Sequence, residues 1–134
     1  MESGIMNEEN ANKIKSFTDL DAWKEGHALV LMIYGATENF PQKEMFGLTS
    51  QMRRAAVSIT SQIAEGFSRQ SYKEKIQFYC ISQGSNTELQ NQLLISKDVG
   101  YLENKSFTVI TDQSVKVQKL LNGLIKKSRY ILNS

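Results

Sequence analysis

Residues 57–74 read VSITSQIAEGFSRQSYKE, and the way this stretch divides decides the fold. Its first half continues an apolar series, Leu48, Met52, Ala55, Ala56, Ile59 and Ile63, whose steps of three and four place it on one helix face. Glu65-Gly66 then interrupts the series, and glycine commonly follows a last helical turn. The second half holds Ser71-Tyr72-Lys73-Glu74, the spacing of a capping box, in which each side chain satisfies an orphan backbone donor. One helix is therefore expected to end at Gly66 and the next to begin at Ser71, with Ser68 to Gln70 as the loop.

Outward from this junction the same periods recur. Upstream, Leu20, Trp23, His27, Val30, Leu31 and Tyr34 predict a first helix, capped by Thr18 and unable to pass Pro41, the sole proline. Thr49 or Ser50 is the expected cap of the second helix. Downstream, the third helix runs to about Asp98, and Gly100 supplies a left-handed turn. A fourth, opened by Asn104 or Ser106, carries Phe107, Ile110, Val117, Leu121, Leu124 and Ile125 on one side and Lys116, Lys119 and Lys126 on the other. No segment alternates with the period of two that a half-buried strand requires. The expected fold is all-α: an antiparallel up-down four-helix bundle as a single domain over 17–132, preceded by an N-terminal tail, 1–16.

A chain of 134 residues suffices for one core without disulfides or a structural metal. No apolar run approaches the length of a membrane span, and the N-terminus MESGIMNEENANK lacks the apolar centre of a signal peptide. With the single Cys80 unable to pair internally, a cytoplasmic location is expected. The net charge of +2 is unevenly spread: residues 1–48 carry −4, 49–104 carry +1, and 105–134 set six basic groups against Asp112, a net of +5. A basic C-terminal third suits an anionic partner, although a solvated lysine face gives the same count.

Two features exceed the needs of an isolated bundle. Ala28, Leu29, Met32, Ile33 and Ala36 widen the apolar stripe of the first helix, and Ser58, Ser61 and Ala64 form a small-residue side on the second. Leu29, Met32, Ile33, Ser58 and Ser61 are therefore the candidate surface for self-association. Arg53, Arg54, Arg69, Lys73 and Lys75 concentrate positive charge around the second loop and are the candidate nucleic-acid-binding residues, since an arginine fork pairs two phosphate oxygens. Phe67 and Tyr72 among them are candidates for stacking on unpaired bases. Ion pairing, with Glu65 and Glu74 nearby, is the competing reading. Lys116, Lys119 and Lys126 form a secondary basic face.

Catalysis finds no support in the residue pattern. Glu65 lacks a partner acid, histidine or metal ligand at a useful spacing and reads as an ion-paired helix-end residue. His27, the sole histidine, reads as a core or subunit-interface residue, and Cys80 as a small core hydrophobe. Gly84, inside the third helix, is expected to pack closely against Ala55 and Ala56. No metal site, cofactor fingerprint or phosphate loop is present in the sequence pattern.

The run from about Phe17 to Leu102 resembles the four-helix-bundle proteins encoded in intervening sequences of bacterial 23S ribosomal RNA genes. The resemblance rests on Phe40-Pro41 with Glu44, Gly47-Leu48-Thr49, Gln51 with Arg53-Arg54-Ala55, Ile63-Ala64-Glu65-Gly66, Arg69, Gly84-Ser85 and Glu88-Leu89. Thr60 and Gln62 depart from the family's common proline and asparagine, which puts any role of that asparagine in doubt. The resemblance implies a bundle assembled into a homo-oligomeric ring, a pentamer, and a more distant similarity to the accessory bundle proteins of diversity-generating retroelements. Those present a basic surface to nucleic acid and a reverse transcriptase. The functional expectation is a non-enzymatic oligomeric protein that contacts structured RNA or DNA through basic residues; the alternative is a scaffold that docks a partner enzyme.

Overall fold

The computed structural model describes residues 14–134. Four helices follow one another: α1, Asp21–Thr37; α2, Leu48–Ser68; α3, Tyr72–Asp98; and α4, Asn104–Leu132. Short 3-10 turns at Phe17–Asp19 and Gln42–Glu44 precede α1 and α2. Each helix packs on the next in the chain and α4 closes on α1, which is the antiparallel up-down bundle expected. No strand occurs among the described residues. Most of the expected tail lies outside the described residues; Ser16, at its end, caps the first 3-10 turn through a reciprocal bond set with Asp19.

The helix boundaries show where local chemistry sufficed. Ser71 Oγ accepts the Glu74 amide at 3.1 Å, as the capping-box spacing requires. Gly100 sits at φ 87°, where only glycine is unstrained, and turns the chain from α3 towards α4. Three expected caps are replaced. Ser16 rather than Thr18 caps the approach to α1, whose own N-cap Leu20 has no side-chain bond. At α2 neither Thr49 nor Ser50 caps, and Thr49 is buried; Glu44 reaches from the preceding turn, its Oε1 accepting the Leu48 amide at 3.1 Å. α4 starts at Asn104 behind Glu103, without a side-chain cap.

Gly66 does not end α2, which continues to Ser68. Its missing side chain serves packing instead: a Cβ there would stand 2.7 Å from Tyr79 Cε1 and 3.0 Å from Phe78 Cβ on α3. A similar approach joins α1 to α2, where a Cβ on Gly26 would lie 3.1 Å from Thr60 Cγ2. Gly84, by contrast, faces open space, so the expected packing against Ala55 and Ala56 does not occur.

The core corrects the reading of α1. Ala22, Gly26, Leu29, Val30 and Ile33 are its buried face, whereas His27, Leu31 and Tyr34 point outward. Leu29 and Ile33 are fully buried within their own bundle, and Met32 packs against it from the side, so none of the three is free for a neighbour. The error has a physical source: Leu20, Trp23 and Tyr34 share a period with the true core face but are rotated from it, and α1 is apolar on both sides. His27 stacks on Trp23 at a centroid distance of 4.8 Å, on the surface. Cys80 is likewise exposed rather than in the core.

α3 breaks the usual contrast between inside and outside. Its buried positions include Ser82, Asn86, Gln92 and Ser96, while Ile81, Leu94, Ile95 and Val99 are exposed. Asn86 is matched across the α3–α4 seam. Asn86 Nδ2 donates to the Ser114 carbonyl at 2.9 Å, Ser114 Oγ donates to Asn86 Oδ1 at 2.7 Å, and Gln90 Nε2 donates to Ser114 Oγ at 2.8 Å. Ser82 Oγ donates to the Ile59 carbonyl of α2 at 2.8 Å. Sliding α3 by one turn would strand these groups in an apolar interior, so they lock the register.

Candidate functional site

The five candidate basic residues do not form one cluster. Arg53 and Arg54 lie in the first turns of α2 and Arg69 follows its last residue, about 24 Å along the axis at 1.5 Å per residue. Arg53 is committed to the fold: its Nε donates to Thr37 Oγ1 at 2.9 Å, Nη2 reaches Glu38 at 3.4 Å, and the guanidinium lies 4.6 Å from the Tyr34 ring centroid. Thr37 in turn donates to the Ile33 carbonyl at 2.7 Å, so Arg53 ties α2 to the end of α1.

Arg69 is engaged by its neighbours as well. It pairs with Glu65 at 3.0 Å and Glu74 at 3.9 Å and lies over the Phe78 ring, while its Nε is buried without a hydrogen-bond partner among the described residues. This is the ion-pair reading of Glu65 and Arg69. Lys75 donates to the Phe67 carbonyl at 2.7 Å and the Gly66 carbonyl at 3.4 Å, closing the C-terminus of α2, with its ammonium over the rings of Phe67 and Tyr72. Burial holds that ammonium below the usual lysine value. Phe67 and Tyr72 thus carry a lysine between them instead of standing open to a base. Arg54 and Lys73 remain exposed, with no ion pair among the described residues.

On α4 the basic residues do share a face. Lys105, Asp112, Lys116, Lys119, Lys126, Lys127 and Tyr130 follow at helical spacings on its outward side. Lys116 pairs with Glu25 of α1 at 3.4 Å, and Gln113 Nε2 donates to the same carboxylate at 2.9 Å. The Gln113 bond first, and Lys116 after it, hold Glu25 below the usual carboxylate value. Lys105, Lys119, Lys126 and Lys127 have no acidic partner among the described residues.

The second surface is apolar and was missed in the sequence. Phe46, in the turn before α2, is 95% exposed. Together with Met45, Tyr34, Val57, Gln62 and the arms of Arg53 and Arg54 it borders a groove of about 650 Å³ between α1 and α2. Leu31, 60% exposed, extends the apolar surface of α1. Gln62 Oε1 is buried there without a hydrogen-bond partner among the described residues. The available signal was the dipeptide Met45-Phe46, two large apolar side chains in a short connection where helix periodicity does not reach. Of the small side of α2, Ser58 is spent inside the chain, its hydroxyl 2.8 Å from that of Ser85 on α3, while Ser61 is exposed.

Glu44 anchors the turn that carries Phe46. Besides the Leu48 amide it accepts the Tyr101 hydroxyl at 3.0 Å, and these two bonds, the amide first, hold its carboxyl below the usual value. Among the described residues no group of three or more His, Cys, Asp or Glu is placed to hold a metal ion. None of the described helices is long and apolar enough to cross a membrane.

A four-helix bundle with an apolar groove on one side and a lysine face on another defines a class of small helical-bundle proteins whose sites are surfaces. Within that class the chain matches the 23S rRNA-intervening sequence protein model over residues 18–123, and it belongs to that family. A solved structure from Bacteroides thetaiotaomicron, described as a protein of unknown function from the S23 ribosomal protein family, superposes with a TM-score of 0.72. The two share 21% identity over 78% of this chain and 95% of that one, a likeness of fold. No curated relative matches the chain.

Proposed function

We propose that this protein is a non-enzymatic assembly module that associates with copies of itself through the surface around Phe46. The observation that carries the reading is the Phe46 ring, 95% exposed on a turn anchored by Glu44 and adjoining an apolar groove. A large ring held in water on a braced turn favours burial against a partner by about 2 kcal/mol or more. Knob and groove on one molecule suit a heterologous contact, which closes into a ring when the rotation per subunit divides a full turn. The family resemblance favours five subunits. Sedimentation or light scattering should give a multiple of the 15.2 kDa chain mass, and Phe46→Asp should give the single-chain mass with an unchanged helical spectrum. A monomeric wild type across the micromolar range overturns the reading.

The unpartnered lysines of α4 favour a second reading, in which the assembly presents a basic surface to RNA or DNA. Lys105, Lys119, Lys126 and Lys127, joined by the free Arg54 and Lys73, replace Arg53, Arg69 and Lys75 as the residues that would meet phosphates. Binding should weaken steeply with salt, and Lys119→Ala/Lys126→Ala should lower the salt slope by about one per lost phosphate contact. Absence of binding to a structured RNA and to duplex DNA at low salt removes this reading. A partner enzyme docked on the assembly then remains, to be sought by pull-down with the intact oligomer.

A further inference from the structure

The end of the bundle where α2 and α4 finish and α3 begins holds a cleft of about 390 Å³, separate from the Phe46 surface and bordering the α4 lysine face at Lys127. Its walls are part apolar, with Phe67 and Ile131 among them, and part polar, and no Asp or Glu lines it. Five polar residues line it, Tyr72, Lys75, Tyr79, Lys127 and Ser128, of which Ser128 spends its hydroxyl on the Leu124 carbonyl. The Tyr79 side chain is nine-tenths or more buried, and its hydroxyl makes no hydrogen bond within the described residues. Lys75 spends two donors on the carbonyls of Phe67 and Gly66, which leaves its third for the cleft.

Partly apolar walls with a few converging donors and no acceptor charge are the makings of a small-molecule site. We propose that this cleft binds a small carboxylate with an apolar tail, the acid meeting Lys75, Lys127 and the Tyr79 hydroxyl, the tail lying against Phe67 and Ile131. The donors select the acid. A neutral head would leave Lys127 without a counter-charge, and a cationic head would meet both ammonium groups directly.

The test is a titration of the full-length assembled protein with decanoate, decanol and decyltrimethylammonium, each below its aggregation concentration, followed in amide NMR spectra. Decanoate should move the amides of residues 67–79 and 124–131 saturably, with decanol about tenfold weaker, the worth of one charge-assisted bond, and the cation without effect. Lys127→Met, at an exposed position that caps nothing, should weaken decanoate binding while leaving the melting temperature unchanged, and Ile131→Trp should fill the cleft and abolish binding. Lys75→Met should also weaken it, but carries a cost to the α2 terminus. The proposal is overturned if decanoate produces no saturable shifts at these amides, if decanol binds as tightly, or if both lysine variants bind decanoate as wild type does.

Discussion

Replacing Gly66 by alanine tests the closest contact in the bundle. An added Cβ would lie 2.7 Å from Tyr79 Cε1 and 3.0 Å from both Tyr79 Cδ1 and Phe78 Cβ, closer than unbonded carbons approach. Relief requires moving the Tyr79 ring, which is 2% exposed, or separating α2 from α3. Overpacking of this kind costs about 1–3 kcal/mol, and three contacts at or below 3.0 Å place it at the upper end. Alanine recovers up to about 1 kcal/mol of helix propensity, so the net loss is about 2 kcal/mol. Gly84→Ala is the matched control: it meets nothing within 4 Å and should gain about 1 kcal/mol. Urea denaturation followed by circular dichroism, at one protein concentration because assembly couples to stability, should separate the two variants by about 3 kcal/mol. Thermal midpoints should move about 8 °C down and 4 °C up. If Gly66→Ala is as stable as wild type, the helices are not in the contact described and the argument for Gly66 fails.

The α3–α4 polar seam yields a second test: Asn86→Leu should cost about 2–3 kcal/mol by stranding Ser114, and adding Ser114→Ala should restore most of it. An equal loss in single and double variants would mean the pair is not coupled. Burial first, and the neighbouring Tyr72 second, pushes Tyr79 up to about 12. Since its folded value lies above that of the unfolded chain, its neutral form contributes stability below pH 10 that is lost as pH rises through about 12. The decline, up to about 3 kcal/mol, should be absent from Tyr79→Phe; parallel curves would show that Tyr79 ionises normally. Finally, Arg53→Ala should lower stability by about 1 kcal/mol through the lost Thr37 bond, while Arg54→Ala should leave it unchanged. Equal effects in urea would contradict the division between a structural and a free arginine.

Much of the bundle was legible because its signals are local. Ser71 with Glu74, Gly100 and Pro41 act within a few residues, and α2 and α4 carry one clean apolar stripe each, so helix number and order followed from spacing, while the end of α2 and three of the caps did not. α1 and α3 were legible only as helices. α1 is apolar on two sides, and only the positions of α2 and α4 around it decide that Leu29 and Ile33 face inward and Leu31 and Tyr34 outward. In α3 polar residues share the buried face with Tyr79, Leu89 and Leu93, because Ser82, Asn86 and Ser96 are satisfied by groups on α2, α4 and their own helix.

Charges were the least legible, since pairing depends on what lies across a helix junction. The sequence determined how many basic residues the chain has and that the last third is rich in them. Tertiary structure decided that Arg53, Arg69 and Lys75 are engaged by Thr37, Glu65 and the end of α2 and Lys116 by Glu25, while Arg54, Lys105, Lys119, Lys126 and Lys127 have no ion pair among the described residues. It also decided that Gly66, not Gly84, is where two helices meet. The physical reason is common to all of these: periodicity specifies which residues share a face, and only the neighbour's position specifies what that face touches.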